Sequence, residues 1–206
     1  MTTEREHRAW HIAGHAYAAT MCGFPVHKLS LDGFSEADLK DRGDAQMLDE
    51  WTLLRPPESP APIGTYRHTL AMERLMSIAV AGPAAELLHQ KLPCILPSVQ
   101  QFTDDWNLAW NAAGFIWNDE APRLNLLTQW IHSSEAVIFH GVQEFYTRVV
   151  PQLLDRGTMT GDKVQAAWDQ LKAAEEASRS RRLRRRRPVR LEPDDPECLG
   201  PTFLLS

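Results

Sequence analysis

The stretch REHRAWHIAGHAYAA, residues 5–19, carries alanine at 9, 13, 16, 18 and 19 and histidine at 7, 11 and 15. Alanine is the strongest helix former, and small or apolar positions recur here at helical spacing. The pattern predicts a helix over residues 4–22, stopped by Gly23, Phe24 and Pro25. Side chains four apart stand one above the other on a helix, so His11 and His15 can grip one ion. His7 makes a second such pair with His11. However, about 12 Å of helix rise separates His7 from His15, too far for all three to share an ion. Eight histidines in 206 residues give roughly 0.3 pairs of this spacing by chance, so spacing alone is weak evidence. Gly14 helps to choose between the pairs. A glycine inside a helix costs about 1 kcal/mol relative to alanine and needs a reason, such as close approach of another element, and it sits beside His15.

Outward from this helix, VHKLSL (26–31) is a short strand and AQMLDEW (45–51) a candidate strand to pair with it. RPPESPAPIG (55–64) has four prolines in ten residues and is a loop. From Tyr66 to Gln90 a long helical pattern is expected to bend or divide at Gly82 and Pro83. Its nearly bare run Ala79, Ala81, Gly82, Ala84, Ala85 lets another helix come close. LPCILP (92–97) is a proline-bounded connector. A helix then opens at Thr103, read as its N-cap, with Asp104 and Asp105 at the positive end of the dipole. Helices over about 120–131 and 133–155 follow, then a turn and a last helix from Gly161 to Ala177 with Thr160 as its cap. The fold class is mainly α with a small β-sheet. Residues 1–177 form one domain, and 178–206 a disordered or loosely docked tail.

Composition limits the function. The three cysteines (22, 94 and 198) are odd in number and form no C-x-x-C, which argues against a disulfide framework and fits a reducing cytoplasm. No window has the roughly 18 uninterrupted apolar residues of a membrane span. The net charge of −5 hides a split: residues 178–190 hold 8 of the 22 Lys and Arg, leaving 14 basic against 27 acidic residues elsewhere. An acidic body is a poor nucleic-acid surface, so any such binding belongs to the Arg-rich tail. Trp106 and Trp110 mark one helix face and read as core, as do Trp10 and Trp117. Cys22 reads as packing rather than as a nucleophile, and His27, His68, His89, His132 and His140 have no implicating spacing.

A two-histidine chelate needs a third ligand from elsewhere, and Asp104 and Asp105 are the obvious carboxylates. At this point the chain resembles a family. AWHIAGHAYAA (9–19) is similar to the H-E-A-G-H-A segment of FtsH-type ATP-dependent zinc peptidases, and PVHKLSL (25–31) to their P-V-H-K-V-S-I strand. IAVAGPAAELL (78–88) resembles their G-G-R-A-A-E-E helix and TDDWNLAW (103–110) their S-N-D-L-x-x-A-T segment. VVPQLLDRGTMTGDKVQAAW (149–168) resembles their closing L-L-x-x-E-T-L-x-G-x-E-I segment. The five blocks fall in order and cover the peptidase domain only. No G-x-x-x-x-G-K-[ST] phosphate loop is present, so the expectation is zinc without ATP. The resemblance implies an FtsH-peptidase-like helical domain, with His11, His15 and Asp105 as zinc ligands. Glu86 is either a solvated charge or a partner to a zinc histidine.

The resemblance fails at one position. Family members place a glutamate directly after the first histidine, where it accepts and returns the proton during peptide hydrolysis; here Ile12 stands there. A residue one step along the helix turns about 100° from His11, toward the open side of the expected metal, and isoleucine cannot carry a proton. General acid or base catalysis is typically worth about 10² to 10⁴ in rate, so peptidase activity is expected to be lost or nearly so. Three readings stay open. One is a pseudo-peptidase that keeps the metal and binds a protein or peptide. Another is an active metallopeptidase whose base comes from Asp104, Glu86 or Glu73. The last is a metal-free structural domain in which His11 and His15 are satisfied core residues. Without an ATPase module to drive ring formation, a monomer or small oligomer is expected.

Overall fold

A computed structural model describes residues 3–33, 46–49, 52–54 and 66–185. The elements are α1 (Glu4–Met21), β1 (Val26–Ser30), β2 (Gln46–Asp49), β3 (Thr52–Leu54), α2 (Tyr66–Gln90), α3 (Leu96–Val99), α4 (Thr103–Gly114), α5 (Glu120–Arg156), β4 (Thr158–Thr160) and α6 (Gly161–Arg185). The protein is mainly helical with a small antiparallel sheet, as the sequence pattern implies. The chain divides into two compact units, 1–172 and 173–206.

Within the first unit α1 begins at Thr3, whose hydroxyl accepts from the Glu6 amide, with Glu4 and Glu6 in the positively polarised first turn. Its residues Ala9 and His11 through Ala19 are all buried, so α1 is an inner helix surrounded on most sides. It packs chiefly on α2 and α5. Gly14 explains the closeness of α1 to α2. A β-carbon there would fall on the Ala81 carbonyl and 2.8 Å from the Ala85 β-carbon, a separation that real methyl groups do not reach.

The sheet has the order β2-β3-β1-β4. β1 lies between β3 and β4, pairing Leu29 with Thr52 on one side and with Met159 on the other. AQMLDEW contains a strand, β2, but it pairs with β3 rather than with β1, and β3 in the following residues went unrecognised. Gly157 caps α5 in the left-handed region at φ 71°, its amide bonded to Leu153 O, and turns the chain directly into β4.

Several expectations are corrected. α2 is one helix through Gly82 and Pro83, not two. α5 is likewise continuous from Glu120 to Arg156, including the Ser133–Ser134 step. A buried stripe, Leu127, Ile131, Ser134 and Ile138, keeps helical spacing across that step. Thr103 is the first residue of α4 and Phe102 holds the cap position. Trp117 is 52% exposed rather than core, whereas Trp10, Trp106 and Trp110 pack on the core. Residues 178–185, expected in the tail, continue α6. The loop 55–64 and residues 186–206 lie outside the described residues.

Candidate metal centre

Three helices meet at His11, His15 and Asp105. α1 supplies both imidazoles on one face, and α4 supplies Asp105 from its first turn, where the helix dipole favours a carboxylate. The Nε2 atoms of His11 and His15 are 3.0 Å apart. Asp105 Oδ2 is 3.2 Å from His11 Nε2, and Oδ1 is 3.1 Å from His15 Nε2. His15 is entirely buried, while His11 and Asp105 are 8% and 7% exposed.

The far nitrogens fix which atoms face inward. His15 Nδ1 lies 2.8 Å from the Ile78 carbonyl, an acceptor only, so Nδ1 carries the hydrogen and donates it. His11 Nδ1 lies 3.1 Å from Glu86 Oε2 and by the same logic donates to that carboxylate. Both neutral rings therefore turn an Nε2 lone pair toward the carboxylate of Asp105. Three acceptors at 3.0–3.2 Å repel one another unless a cation lies between them. That cation is either a proton that charges one imidazole or a metal ion. Tetrahedral zinc ligands with bonds of about 2.0–2.1 Å stand about 3.3–3.4 Å apart, so the donor set and its spacing fit such an ion closely. The described residues thus hold a buried His-His-Asp group close enough to bind a metal.

The surroundings hold the ligands in place. Glu86, one of whose oxygens faces His11, accepts from Gln90 Nε2 at 2.9 Å with the other. Phe102 stacks on His11 with ring centroids 5.4 Å apart. Gly82 gives His15 its space: a β-carbon there would lie 2.5 Å from His15 Cε1 and 2.7 Å from Cδ2. Burial raises the Asp105 pKa, but where the shared cation is a proton, charge on His15, hydrogen bonding from the imidazoles and charge on His11 outweigh it. The carboxyl is then held well below the usual range.

The weaker sequence candidates separate here. Asp104, adjacent to Asp105 on α4, is exposed. Glu73 is half-buried on α2, five residues before Ile78. Glu86 sits on the far nitrogen of His11, not on the side facing Asp105. Ile12 is fully buried in the core, where the sequence reading placed the open side of the site. Burial raises the Cys22 thiol, with Ser77 and Arg74 only partly offsetting this, so it is not an activated nucleophile. The sequence reading missed Phe102, the Ile78 carbonyl and the space that Gly82 leaves for His15. Gly82 alone left a signal, and it was read as a bend or division and as part of a bare surface open to another helix, without the link to His15.

No family model and no curated protein matches this chain.

Proposed function

We propose that this chain is a degenerate zinc peptidase-like domain, akin to the FtsH-type peptidase domain, that keeps a zinc centre on His11, His15 and Asp105 without hydrolysing peptides. It acts by binding a protein or peptide, as a monomer or small oligomer. The observation that carries this reading is the convergence of three electron-pair donors beside a fully buried isoleucine. A zinc ion held there would supply Lewis-acid chemistry. Among the described residues, none of Ile12, Glu86 and Asp104 is placed to carry a proton there. Ile12 has no titratable group, Glu86 is engaged by His11 and Gln90, and Asp104 is exposed. Catalytic zinc sites keep an open position and structural ones are closed. The burial of His15, Asp105 and Ile12 favours an ion that ties α1 to α4.

The experiment is elemental analysis of the purified full chain together with hydrolysis of casein. Zinc without hydrolysis is expected. Zinc with hydrolysis that is lost in His11→Ala would make the chain an active peptidase with another base, and a metal-free chain would leave only a structural role. Among the described residues no helix is long and apolar enough to cross a membrane.

A further inference from the structure

The two ends of α6 are unlike. Near its start the helix is anchored by the buried residues Val164, Ala167 and Leu171, whereas every residue from Glu175 to Arg182 is exposed. The helix nevertheless runs on to Arg185, through a stretch that the sequence alone placed in a tail. Residues 178–185 read SRSRRLRR, with five arginines, one apolar residue and no carboxylate.

The helix sorts these arginines into two rows. At about 100° per residue, positions 179 and 182 fall on one side and positions 181, 184 and 185 on another, about 140° round from the first. Like charges three or four apart on a helix repel, so the pairs 179/182, 181/184, 181/185 and 182/185 each oppose the helix that carries them. Their place in the last turns, at the negative end of the dipole, offsets part of this. A polyanion lying against both rows removes the repulsion itself. Arg181 donates from Nε to the Ala177 carbonyl at 3.3 Å, a bond that uses one of the five N–H groups of its guanidinium.

The pattern selects among polyanions. An anionic membrane takes a surface helix by its apolar face, and Leu183 alone makes none. A flat acidic surface, such as that of a second copy, meets one side of a helix at a time. A duplex groove presents phosphates on both sides of a helix lying in it, and the major groove of DNA, about 12 Å wide, admits an α-helix. Guanidinium suits phosphate through its planar fork. The carboxylates that follow, Glu192, Asp194, Asp195 and Glu197, are four against the eight arginines of 178–190, so the segment stays positive. We propose that the C-terminal part of α6 binds duplex DNA through its phosphates, without reading sequence, by Arg179, Arg181, Arg182, Arg184 and Arg185. This activity depends neither on the metal centre nor on the resemblance to peptidases.

The test is fluorescence anisotropy of a labelled mixed-sequence DNA duplex of about 20 base pairs, titrated with the full chain, beside co-sedimentation with phosphatidylcholine vesicles holding about 30% phosphatidylserine. Duplex binding is expected to weaken roughly 6- to 20-fold between about 50 and 100 mM salt, as three to five phosphate contacts imply. The combined variant Arg179→Gln, Arg181→Gln, Arg182→Gln changes only exposed residues, so it should fold and keep its zinc content. It should bind at least tenfold more weakly and with a flatter salt dependence. Lysine at the same three positions should restore most of the affinity, because attraction to phosphate needs the charge. Absence of duplex binding, binding that the glutamine variant retains, or a loss that lysine does not restore overturns the proposal. Vesicle binding as tight as duplex binding overturns it in favour of a membrane, and salt-sensitive self-association without duplex binding overturns it in favour of a second copy.

Discussion

Glu86 shows how much of the centre depends on a residue that would touch no ion. By accepting from His11 Nδ1 it fixes the tautomer that turns Nε2 inward, and a carboxylate in that position also raises the basicity of the ring. Glu86→Gln is expected to keep the fold and to weaken zinc binding about 10- to 100-fold in a chelator competition; unchanged affinity would mean that the His11 tautomer is set otherwise. At this scale the sequence was readable where spacing carries chemistry. His11 and His15 stand out by their four-residue interval, and Asp105 was chosen over Asp104 only through resemblance, a choice matched by the burial of one and the exposure of the other. The Ile78 carbonyl and Phe102 were not readable, because a backbone acceptor and a stacked ring declare themselves only once α1, α2 and α4 are in place.

Two glycines set the contact between α1 and α2, and they fail differently. In Gly14→Ala the new methyl meets the Ala81 backbone and the Ala85 side chain, neither of which can rotate away. The expected loss is about 1–3 kcal/mol of stability by denaturant unfolding. In Gly82→Ala the methyl meets the His15 ring, so zinc affinity should fall by more than tenfold, out of proportion to any stability lost. Equal zinc affinity in both variants would contradict this division. The close approach was foreseen from Gly14 and from the small residues of α2, since a bare surface has few other uses. Continuity was harder to foresee. Pro83 and the serine pair at 133–134 look like local breaks, but burial of the stripe from Leu127 to Ile138 and the packing of α2 on α1 override local propensity. β3 escaped notice because three residues carry no period, and its strand character comes from pairing with β1 and β2.

Across the first unit, stability should depend on pH and on metal. Burial, with a contribution from Glu135, pushes the Cys94 thiol up from an ordinary 9.0 to about 12, and burial carries the Tyr146 phenol well above 10.0. Between pH 9 and 12 the unfolded chain therefore releases protons that the folded chain retains, so stability is full below pH 9 and falls as pH rises through that window. Cys94→Ala should flatten part of this decline in melting temperature; an identical decline would assign it elsewhere. The central claim, that one divalent cation belongs between His11, His15 and Asp105, is tested most directly by zinc content and melting temperature before and after chelation. One tightly held zinc is expected, whose removal lowers the melting temperature by roughly 5–10 °C, as loss of about 2–3 kcal/mol of linkage implies, with both effects absent in His15→Ala. A chain that neither holds zinc nor melts higher when zinc is added would contradict it.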